Sequence, residues 1–82
     1  MKQFNLEYQY SLFLERMQLS EAKMHPIQKT QLKETFFGAW GQLLFLLRDE
    51  ISQLENEAAV DQVQGMLNQV GNFFLSIQNK QN

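Results

Sequence analysis

Residues 25–47 read HPIQKTQLKETFFGAWGQLLFLL, and the fold follows from how this stretch is taken. Pro26 suits the first position of a helix, where its missing N–H costs nothing. From there Leu32, Phe36, Trp40, Leu43, Leu47, Ile51 and Leu54 recur at spacings of 4, 4, 3, 4, 4 and 3, the period of one helix face. The spacing predicts a helix over residues 26–54, about 29 residues and about 43 Å at the helical rise. A globule of this chain length is only about 25–30 Å across, so such a helix must kink or meet a partner. The run Leu43–Leu47 is apolar around the whole helix and therefore needs cover on more than one side.

Helical spacing continues on both sides. Leu6, Tyr10, Phe13 and Met17 draw a stripe at spacings of 4, 3 and 4, widened by Phe4, Tyr8, Leu12 and Leu14; a first helix is expected over about 3–19. The polar tips of Tyr8 and Tyr10 suit a wet edge of that stripe. Residues 19–25 read as a break. After it and the long helix, Val60, Val63, Leu67, Val70, Phe74 and Ile77 repeat at 3, 4, 3, 4 and 3, a heptad seam. A last helix is expected over about 57–78, with Asn56 as its cap. The short junction before it calls for an antiparallel hairpin with the long helix. The expectation is an all-α fold: one domain of three helices, residues 1–82, assembled into a helical homo-oligomer.

Composition points the same way. A chain of 82 residues buries only about 60–65% of its unfolded surface, which leaves a monomer marginal. Small domains gain stability from disulfides, metal or partners. There is no cysteine and one histidine, which disfavours disulfides and structural zinc. Phe37, Leu44, Phe45, Phe73 and Leu75 lie off the main seams, enough to mark an interface if left exposed; the simpler alternative is a tight three-helix core that covers them all. The net charge is −2, against a basic nucleic-acid binder. Charge is nevertheless polarised. Residues 1–33 carry five basic and three acidic side chains, and residues 34–82 carry two and six. No stretch reads as a signal peptide or membrane span, so a soluble, cytoplasmic protein is expected.

Chemical signatures are few. There is no Gly-rich phosphate loop, no HExxH and no Ser-His-Asp set, and an enzyme is not expected; neither is a cofactor or a metal site. One constellation fits an anion. The start of the long helix offers backbone N–H groups and a helix dipole. Lys29 and Lys33 lie four apart on one face above it, His25 and Gln28 add hydrogen-bonding groups, and Phe37 and Trp40 continue close to that face. Tyr8 and Tyr10 reach it if the first helix folds back alongside. Lysines and helix N–H groups take phosphate, and aromatics stack bases. The candidate ligand-binding residues are therefore Tyr8, Tyr10, His25, Gln28, Lys29, Lys33, Phe37 and Trp40. The simpler reading of the two lysines is a solvated helix face. Gly38 and Gly41 sit mid-helix at a cost of about 1 kcal/mol each; with Ala39 they form a notch for another helix or a flat ligand.

The order His-Pro-x-Gln-basic, aromatic-aromatic-Gly, then Gly-Gln and an apolar run resembles small helical proteins encoded by phages and prophages. The resemblance covers the second helix and NQVGNFFL at 68–75. It implies a role such as that of anti-defence sponges: helical oligomers that hold cyclic nucleotides or ADP-ribose derivatives between protomers without cleaving them. The leading expectation is thus a non-enzymatic protein that sequesters a phosphate-containing nucleotide signal. The alternatives are an inhibitor or adaptor that binds a host defence protein through its apolar helical face, and a small structural or assembly protein.

Overall fold

The computed structural model describes residues 1–81, with side chains through residue 79. Among the described residues every regular element is helical: three α-helices, α1 (Leu6–Arg16), α2 (Pro26–Asp49) and α3 (Asn56–Gln81), with short 3-10 turns at Lys2–Phe4, Glu21–Lys23 and Ile51–Gln53. The chain divides into two compact units, Met1–Leu44 and Phe45–Asn82.

In the first unit α1 starts where Asn5 accepts a hydrogen bond from the Tyr8 N–H at 3.0 Å through its side-chain oxygen, a cap that satisfies a free donor of the first turn. It stops three residues short of the expected end. Gln18 adopts φ 57°, and the Leu19 N–H donates to the Leu14 carbonyl at 2.9 Å while the Gln18 N–H donates to the Glu15 carbonyl at 3.1 Å. That pair of bonds is a Schellman ending, built here on glutamine where glycine is usual. The helix α2 starts at Pro26 as its sequence demands. The His25 imidazole accepts a hydrogen bond from the Ile27 N–H at 3.2 Å, so the histidine caps the helix it precedes.

The centre of this unit is aromatic. Tyr10 of α1 packs against Phe36 of α2 with ring centroids 5.1 Å apart. Phe13 lies at the same distance from Phe36 and 6.3 Å from Tyr10, closing a three-ring cluster, and Trp40 extends the layer one turn further at 6.1 Å. Tilted and edge-on contacts of this kind stabilise beyond simple burial. Tyr10, at 4% exposure, is the one buried residue among the described residues. The sequence placed it at a wet edge; α1 instead turns it inward, and its hydroxyl is buried without a hydrogen-bond partner.

In the second unit α2 ends at Asp49, five residues earlier than its periodicity extends. The Ser52 hydroxyl donates to the Arg48 carbonyl, one of the orphan acceptors of a helix end. Ile51–Gln53 then tighten into a 3-10 turn, and Leu54 is extended. Helix α3 begins when the Ala59 N–H donates to the Glu55 carbonyl at 2.8 Å. Glu55 thus stands at the boundary, and Asn56, expected as the cap, is the first helical residue. Leu46, Ile51 and Leu54 line a small cavity together with Gln62 and Met66 of α3, and α3 meets the 3-10 turn that precedes it. Among the described residues no helix is long and apolar enough to cross a membrane.

Candidate functional site

The start of α2 borders an open groove of about 830 Å³. Its α2 wall is Pro26, Lys29, Thr30, Lys33, Glu34 and Phe37, four of them one turn apart in succession; Glu7 of α1 and Glu21 of the following 3-10 turn close the other side. The groove therefore unites three of the eight candidate ligand residues: Lys29, Lys33 and Phe37.

The other five lie elsewhere. Trp40 borders a separate, narrower cavity with Phe13 and Phe36. Tyr10 is in the core, with Phe13, Phe36 and Phe37 around its ring, so it presents no free face for stacking. Tyr8 is half-buried, with the Lys2 ammonium 5.2 Å from its ring centroid. His25 and Gln28 are exposed at the helix start, and the imidazole nitrogen of His25 is engaged by the Ile27 N–H.

The electrostatics of the groove differ from a bare anion site. Lys33 pairs with Glu7 at 3.0 Å. Its ammonium also lies 5.8 Å from the Tyr10 centroid and 5.9 Å from that of Phe37, within reach of cation–π attraction. The hydrogen bond to Glu7 pushes the Lys33 pKa above its ordinary 10.5. Burial raises the Tyr10 pKa above 10.0, and the charge of Glu21 adds to it. Three carboxylates, Glu7, Glu21 and Glu34, surround two ammonium groups. Lysine spacing along α2 made the basic half of this site legible. Glu7 and Glu21 come from other elements, and no local pattern announces them.

A different surface is more extensive. On α3 the heptad positions Val60, Leu67 and Val70 are 66%, 58% and 53% exposed. Val63 and Phe74 are exposed as well, as are Phe73 and Leu75 beside the seam. Among the described residues no group of three or more metal-ligating side chains gathers to hold an ion. The notch at Gly38 and Gly41 is open, because a Cβ at either position meets nothing within 4 Å.

No protein-family model matches the chain, and no curated protein or solved structure matches it.

Proposed function

We infer that this protein is a non-enzymatic helical protein that works as a self-associated assembly, in a structural or adaptor role. One observation carries the reading: the apolar stripe of α3 is left in water, with Val60 at 66% and Leu67 at 58% exposure. A chain of this size has little core to spare, and a continuous exposed apolar patch marks an interaction surface. Association supplies the missing burial, and the antiparallel pairing of the second and third helices called for by their short junction belongs to the same reading. Native mass spectrometry of the protein purified from cells tests it. A defined oligomer is expected, and a monomer at every concentration overturns it.

A second reading is favoured by the groove. Lys29, Lys33 and Phe37 converge there, as sequestration of a phosphate-containing nucleotide signal of the phage anti-defence kind would require. Cyclic oligonucleotides and ADP-ribose derivatives added before the same measurement test this reading. Stoichiometric intact nucleotide, lost in the Lys29→Ala and Lys33→Ala double variant, supports it. The excess of carboxylates in the groove places it second.

A further inference from the structure

The seam of α3 has a composition that selects its own occupant. Between Asp61 and Lys80 the sequence carries no charged residue, so the positions flanking the seam, among them Gln64, Gly71 and Gln78, neither repel an identical helix nor prefer a charged partner. The seam places its valines and its larger side chains in a particular order, Val60, Val63, Leu67, Val70, Phe74 and Ile77. Laid against itself in the opposite direction, it sets Val60 opposite Ile77, Val63 opposite Phe74, and Leu67 opposite Val70. Every layer then holds one valine and one larger residue. Laid parallel, it sets Phe74 against Phe74 and Val63 against Val63, so one layer is crowded and another hollow, and both costs are known from core packing.

Two further observations favour the antiparallel order. A shallow depression of about 250 Å³ lies between Ala59, Val60, Val63 and Gln64, where that register sets Phe74 of the second copy. Glu57 and Asp61 make the start of α3 acidic, and antiparallel pairing keeps the two acidic starts apart while opposing the helix dipoles.

We propose that α3 pairs with α3 of a second copy of this chain in antiparallel order, Leu67 of each copy facing Val70 of the other. The proposal rests on the self-association reading above and specifies its interface. Because the chain has no cysteine, introduced thiols report the geometry directly. Positions 60 and 77 are about 25 Å apart along one helix, too far for a bond within a chain. The full-length Val60→Cys/Ile77→Cys variant is expected to form a covalent dimer on mild oxidation. Val60→Cys alone and Ile77→Cys alone are expected to remain uncross-linked, with helical content unchanged by circular dichroism. Cross-linking of either single variant overturns the antiparallel order. No cross-link in an otherwise oligomeric protein overturns the seam and leaves self-association standing. A monomeric wild-type protein overturns both.

Discussion

The Lys33 ammonium lies 3.0 Å from the Glu7 carboxylate, tying α1 to α2 at the mouth of the groove and beside the aromatic layer. Both side chains are partly in water, with exposures of 44% and 63%. Such a pair is weakened by salt. A double-mutant cycle of Glu7→Gln and Lys33→Met, read by thermal melting, is expected to give a modest favourable coupling at low ionic strength that fades as salt is added. A coupling indifferent to salt contradicts a surface pair.

Alkaline pH should loosen the first unit. The pKa of Tyr10 is raised above 10.0 chiefly by burial, and that of Lys33 above 10.5 chiefly by its hydrogen bond to Glu7. A group whose folded pKa is raised stabilises the fold fully below its unfolded value, and the contribution is lost as pH rises through the folded value. Stability is therefore expected to be insensitive to these two groups below about pH 10 and to fall above it. In a Tyr8→Phe variant, tyrosinate absorbance follows Tyr10 alone. Its midpoint is expected above 10.0, and a midpoint at or below that value contradicts the buried position.

Gln18 holds a left-handed conformation, φ 57°, that costs a non-glycine residue about 1 kcal/mol or more. Gln18→Gly is expected to stabilise the protein by about 0.5–1 kcal/mol once the added freedom of glycine in the unfolded chain is counted. Chemical denaturation measures this. A loss of stability shows that the Schellman ending of α1 does not form.

Gly38 and Gly41 have open space where a Cβ would sit. Gly38→Ala and Gly41→Ala are each expected to add about 1 kcal/mol through helix propensity and to leave the oligomer mass unchanged. An alanine that splits the oligomer instead identifies the notch as a helix contact.

Much of the helical architecture is legible in the sequence because apolar spacing and Pro26 report local geometry. The misses have separate physical causes. The end of α1 rests on glutamine in a conformation that normally signals glycine. The periodicity of Ile51 and Leu54 outlasts α2, because apolar spacing continues into a 3-10 turn and an extended Leu54 that no longer belong to the helix. The burial of Tyr10 depends on which way α1 turns against Phe36, a tertiary choice its tyrosine tip argues against. At the groove, Lys29, Lys33 and Phe37 are readable from one helix face, whereas Glu7 is 26 positions from Lys33 and enters only through packing. Helix α3 is the most legible element, since its apolar spacing needs no other element to define it.

The seam of α3 as an interface makes one further demand. Sedimentation equilibrium of the wild-type chain and of Leu67→Lys, over a range of concentrations, tests it most directly. The wild-type mass is expected to be a multiple of the 9.7 kDa chain, and the variant is expected to sediment as the single chain with its helices intact. A wild-type monomer throughout, or an oligomer that a lysine at position 67 does not disturb, contradicts it.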